Sequence, residues 1–198
     1  MPHEPEVMGL LALMLLHDAR RGARFDQNGE LVLMEEQDRS LWDRRRIEEG
    51  VALLERALRQ RRPGPYQLQA AIAALHSVAP TAAATDWPQV VQLYDELVRR
   101  QPSPVVELNR IVAVAMAEGP ARALKLLDAL GQGRALDGYH LYHSVRAELQ
   151  RRSGRTGEAA EAYVRALRHV TQPAERRFLE RRLASLEGAE TGTGVADE

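Results

Sequence analysis

Amides, guanidinium groups and histidines are the residues of this chain whose spacing invites a chemical reading. His140 and His143 stand three apart and Arg146 follows three later, so one helix would carry all three along a shared face. An amide beside a guanidinium can hold a peptide carboxylate by charge-assisted hydrogen bonds, and Asn109, followed by Arg110, supplies the amide from an earlier segment. With Tyr139 these residues form a candidate peptide-binding groove. Trp42, Tyr66 and Gln69 form a second candidate set, suited to a small-molecule pocket. Trp42 and Trp87 each lie near a helix start beside Asp and Arg, and their size suits them to anchor an interface. Each also has a plainer role: a tryptophan can plug a gap between repeats, and a histidine can be packed or solvated.

Other chemistries find little to build on. His17-Asp18, His76 and Asp86 lack the one-helix spacing of paired metal ligands, so no metal or cofactor is expected. The chain has no cysteine, which removes disulfides, thiolate zinc sites and cysteine nucleophiles together. No phosphate loop, dinucleotide fingerprint or nucleophile elbow occurs, so an enzyme reading has no base or nucleophile to name. Arginines cluster at Arg44-Arg-Arg46, Arg99-Arg100, Arg151-Arg152 and Arg181-Arg182, each beside glutamates or at a helix end where solvent and the helix dipole account for them. A net charge of -1 argues against a whole-molecule electrostatic grip on DNA and leaves only a local arginine patch open, so direct DNA binding by this segment is not expected.

The elements that must position these groups read as helices. At 198 residues, 44% hydrophobic and 28% charged, the chain has ordinary globular composition, and one domain is the default. Its longest apolar run, Val7 to Leu16, is too short to span a membrane, and the first residues lack the basic start of a secretion signal, so a cytoplasmic protein is expected. Pro5 opens an almost wholly apolar helix that must be covered. Residues 20–37 break the helical rhythm around Asn28-Gly29 and predict an insertion with a short hairpin. Asp38 or Ser40 can cap the next helix, whose apolar stripe runs from Leu41 and Trp42 to Arg61. Proline and glycine then bracket helices over 66–79, 87–101, 105–118, 120–130, 139–153, 156–169 and 174–187. Residues 188–198 have nothing to bury and read as a disordered tail.

One spacing recurs through these helices. Ala159, Tyr163 and Ala166 are set at steps of four and three, as are Ala123, Leu127 and Leu130, then Val90, Tyr94 and Leu97, then Gly50, Leu54 and Ala57. Successive copies lie 40, 33 and 36 residues apart, the range of helix-pair repeats. Residues 1–187 therefore read as an all-α domain of about four helix pairs plus a C-terminal capping helix, wound as a superhelix.

Gly154 to Leu167 resembles the second half of a tetratricopeptide repeat, with Ala159, Tyr163 and Ala166 in the small, aromatic and small slots and Ala147 in the small slot before them. Gln150 departs from the pattern, standing in a slot usually apolar or aromatic. Longer strings resemble one family more closely: Glu6 to Arg21, Gln37 to Asp43, Gly64 to Ala74, Thr85-Asp-Trp87, Ser103 to Arg110 and Ala174 to Arg182. They are similar to the C-terminal tetratricopeptide-like extension of bacterial extracytoplasmic-function sigma factors, over roughly residues 4–187. The promoter-reading regions two and four of such factors have no counterpart in this sequence. The resemblance implies a non-catalytic segment that modulates transcription initiation through contacts with the sigma domains or RNA polymerase. A stand-alone peptide adaptor and a small-molecule sensor are the alternatives.

Overall fold

The computed structural model describes residues 4–192, with side-chain surroundings through Leu186. It is all-α. Among the described residues the helices are α1 (Pro5–Asp18), α2 (Arg44–Leu58), α3 (Pro65–Val78), α4 (Trp87–Arg100), α5 (Pro104–Glu118), α6 (Pro120–Gly131), α7 (His140–Arg152), α8 (Thr156–His169) and α9 (Pro173–Gly192). Proline occupies the first turn of α1, α3, α4 and α6, where its missing N–H costs nothing. No described helix is long and apolar enough to cross a membrane.

The repeated triads fall on α2, α4, α6 and α8, the second helix of each successive pair. Their leading positions are sealed: Gly50, Leu54 and Ala57 are buried on α2, Val90 and Leu97 on α4, Ala123 and Leu127 on α6, and all three triad residues on α8. Tyr94 and Leu130 remain partly open. The spacing thus marks the face each second helix turns inward. Gln150, the polar departure, is also buried, and its Nε2 donates to Glu158 Oε2 at 3.3 Å.

Three local expectations need adjustment. The hairpin expected in residues 20–37 is reduced to its minimum: after a 3₁₀ turn over Arg21–Ala23, single bridge residues, Phe25 and Leu31, flank the Asn28-Gly29 turn, where Gly29 takes φ 71°, and Val32 N–H bonds Arg24 O at 3.0 Å. Leu41 and Trp42 do not open α2. Asp38 accepts from Ser40 N–H at 2.9 Å and caps a second 3₁₀ turn over Arg39–Leu41, while Asp43 accepts from Arg46 N–H at 3.1 Å and starts α2 itself. Finally, α9 continues past Gly188 to Gly192, so the helix claims the first part of the expected tail; residues 193–198 lie outside the described residues.

Among the described residues the helices pack as two compact units. The first holds residues 4–28 and 32–113. In it α1 packs on both α2 and α3, through Met8, Ala12, Leu53, Leu54, Ala57 and Ala70. Leu16, Ala19, Ala23, Trp42 and Ile47 extend that core beneath the insertion, and Ile72, Val90 and Ala113 join α3 to α4 and α5. Among the described residues the second unit holds 29–31 and 114–192. There Ala147 meets Ala159, Ala162, Tyr163 and Ala166 of α8, and Leu179 and Leu186 of α9 complete the cluster. Small residues let the backbones approach, and the Tyr163 ring fills the space they leave.

Candidate functional site

The residues proposed for a peptide groove divide by how fully their polar atoms are already used. In the second unit, Arg146 donates to Asp128 Oδ1 at 2.7 Å and to the Tyr142 hydroxyl at 2.9 Å. His143 is buried, donates from Nε2 to Asp137 O at 2.7 Å and stacks on His169 with ring centroids 5.6 Å apart. His140 Nε2 lies 3.0 Å from the Glu175 carboxylate in the first turn of α9, and Tyr139 packs edge-on against the His140 ring. These side chains hold α6, α7 and α9 together. Arg110, in the first unit, is likewise occupied, by Asp95 and by Glu107.

The aromatic anchors are structural as well. Trp42 is buried among Leu16, Ala19 and Ile47, with the Arg39 guanidinium 4.4 Å above its ring. Arg39 also donates to His76 O at 2.6 Å and Ala79 O at 2.9 Å, capping the C-terminal carbonyls of α3. Trp87 donates from Nε1 to Ala82 O at 3.2 Å and meets the His76 ring edge-on at 5.0 Å. Tyr66 is exposed, and its backbone N–H is bonded to Glu6.

Gln69 and Asn109 lead elsewhere. Both line a cavity of about 270 Å³ within the first unit. The first helices of three successive pairs build its polar wall: α1 contributes His17, α3 contributes Gln69 and His76, and α5 contributes Asn109. Arg20, from the turn after α1, and Tyr94 of α4 complete that wall, while Leu13, Ile72, Leu97 and Val106 supply an apolar floor. Four of the polar groups are uncommitted: among the described residues the side chains of Gln69, Tyr94 and Asn109 and the ring nitrogens of His76 make no hydrogen bond to protein.

The cavity is also electrostatically one-sided. Arg20, Arg24 and Arg39 crowd together with no carboxylate in ion-pair range among the described residues; burial and these like charges lower the pKa of Arg20 itself. His76 is pushed down to about 4 by burial and then by Arg20 and Arg39. His17 is lowered by burial and by Arg20 and Arg24. Burial raises the Tyr94 hydroxyl to about 12. Near neutral pH the wall therefore offers one guanidinium, two neutral imidazoles, two amides and a protonated phenol.

Spacing alone missed this grouping. His17 and His76 lack the spacing of paired metal ligands, Arg20 carries no signal of its own, and Asn109 reads with the α7 residues. The helix-pair register offered the available signal, since first helices of successive repeats line one face.

Comparison with known proteins adds little chemistry. Residues 1–58 match a family of unknown function, DUF6596. Over 197 residues the chain is 50% identical to an uncharacterised protein of Rhizobium meliloti (strain 1021), a match that takes in 100% of this chain and 46% of that relative. No solved structure matches the chain.

Proposed function

We propose that this chain is a non-catalytic regulatory segment of a cytoplasmic factor of the extracytoplasmic-function sigma type, acting by contact with promoter-reading domains or RNA polymerase. The supporting observation is the outer face of α1. Met8, Ala12 and Leu16 are buried against the rest of the unit, but Val7, Leu11 and Met14 are 51%, 49% and 59% exposed, and Leu10 adjoins them. A helix apolar on every side belongs in an interior, and this stripe follows the 3.6-residue period of a helix-docking face. In the Rhizobium relative the matching sequence makes up 46% of the protein, so more than as much again of that protein is available to cover such a face.

Transcription by the full-length relative, with and without the segment matching this chain, tests the reading. A changed promoter output supports it, and an unchanged output overturns it. Replacing Val7, Leu11 and Met14 together with glutamate should reproduce the deletion while leaving the helical spectrum intact.

A further inference from the structure

The cavity of the first unit combines features that its packing role does not require. Elsewhere in the fold Arg146, His143 and the Gln150 amide nitrogen bond to protein, and the buried polar atoms without a partner, such as Trp42 Nε1 and Gln150 Oε1, are scattered singly. Around the cavity they converge: the side chains of Gln69, His76, Tyr94 and Asn109 line one volume and make no hydrogen bond to protein among the described residues, the His76 ring meeting only the edge of Trp87. Polar side chains converging without mutual bonds leave their donors to whatever enters from outside.

Charge narrows what that can be. Arg20 reaches the wall with its guanidinium engaged by His17 Nδ1 at 3.3 Å. Arg24 and Arg39 spend donors on backbone carbonyls, which uses hydrogen bonds without cancelling charge. Three uncompensated guanidinium groups make a cation unwelcome and an anion favoured. Size and floor narrow it further. About 270 Å³ sits below the usual range for drug-sized ligands, and the Leu13, Ile72, Leu97 and Val106 surfaces need an apolar partner.

We propose that this cavity binds a small organic oxyanion, a carboxylate or phosphate carrying a short apolar body. Arg20 takes the oxyanion, the amides of Gln69 and Asn109 and the Tyr94 hydroxyl fix its orientation, and the aliphatic floor holds the body. The site lies within one unit and does not depend on the transcriptional role proposed above.

Titration calorimetry on the full chain tests this with benzoate and phenyl phosphate as oxyanion probes, and with inorganic phosphate, benzamide and benzamidine as comparators. Saturable binding of benzoate or phenyl phosphate, at least about tenfold tighter than benzamide, benzamidine or inorganic phosphate, is the expected result. The stronger of the two probes identifies the head group. Arg20→Gln should weaken that binding about tenfold or more. Because Arg20 also stacks near Trp42, Asn109→Ala, an exposed position, provides the variant that must fold, and it should weaken binding as well. Arg146→Gln, in the second unit, should leave binding unchanged. Absence of saturation by both oxyanions, equal binding of benzamide or inorganic phosphate, or wild-type affinity in both Arg20→Gln and Asn109→Ala would overturn the proposal.

Discussion

Glu6 of α1 serves as the cap of α3, with Gln67 as its main partner. Its carboxylate accepts from Gln67 N–H at 3.2 Å, Gln67 Nε2 at 3.1 Å and Tyr66 N–H at 3.0 Å. The residue at the cap position, Gly64, has no side chain to do this, and a methyl group there would strike the Glu6 carboxylate. Two orphan amides at the start of α3 are thus satisfied from another helix, which ties local helix formation to the α1–α3 contact. Glu6→Ala should lower stability by about 1–2 kcal/mol, within the range for lost caps. Glu6→Gln, which keeps one accepting oxygen, should lose less. Chemical denaturation of both variants gives the order directly.

Glycine to alanine inside a helix ordinarily stabilises by about 0.5–1 kcal/mol. At Gly9 the sign should invert. A methyl group on α1 there would lie 2.8 Å from the Gln67 backbone nitrogen and 3.0 Å from its Cα, and backbone cannot yield as a side chain can. Gly9→Ala should therefore destabilise by about 1–3 kcal/mol through overpacking. Gly157→Ala, where nothing lies within 4 Å, is the matched control and should be neutral or stabilising. Equal melting temperatures for the two variants would refute a tight α1–α3 seam.

These contacts show what periodicity conveys and what it omits. The triads identify second helices because inward faces recur at helical steps, and caps are equally local: Thr85 and Asp86 both precede Trp87-Pro88, and the Asp86 side chain accepts from Gln89 N–H at 3.0 Å. Trp42 illustrates the limit. It fits the apolar stripe of α2, yet burial against Leu16 and Ala19 draws it into a turn, and Asp43 rather than Asp38 begins the helix. Gln69 and Asn109 were both singled out in the sequence but assigned to different groups. They share a cavity wall because α3 and α5 are both first helices, and a relationship across 40 residues has no local signature. The open face of α1 is a third case: the pattern demands cover without indicating which side the chain itself provides.

Tyr163 separates packing from polar contributions. It is 2% exposed within the α7–α8–α9 cluster, and its hydroxyl donates to Glu148 Oε2 at 3.2 Å. Tyr163→Phe removes only the hydrogen bond and should cost about 0.5–1.5 kcal/mol. Tyr163→Ala leaves a ring-sized void between small residues that cannot close it, and should cost about 3–5 kcal/mol. Urea unfolding monitored by helical signal compares them. Similar losses would mean that the hydroxyl, and not the ring, dominates.

Acid should weaken the first unit through His76. Its pKa falls from 6.5 to about 4 in the folded chain, because burial and then the Arg20 and Arg39 charges disfavour the imidazolium. The unfolded chain consequently binds more protons than the folded one between those values, and stability contributed by neutral His76 is present in full above about pH 6.5 and is lost progressively as pH falls toward 4. Partial access to solvent screens the effect, leaving roughly 1 kcal/mol over the whole window. His76→Gln, neutral at every pH, should have a shallower decline in melting temperature across this range than the wild type. The comparison matters because carboxylates titrate over the same interval in both proteins and cancel in the difference. Parallel curves for wild type and His76→Gln would mean that burial and the Arg20 and Arg39 charges together do not hold His76 neutral in the folded chain.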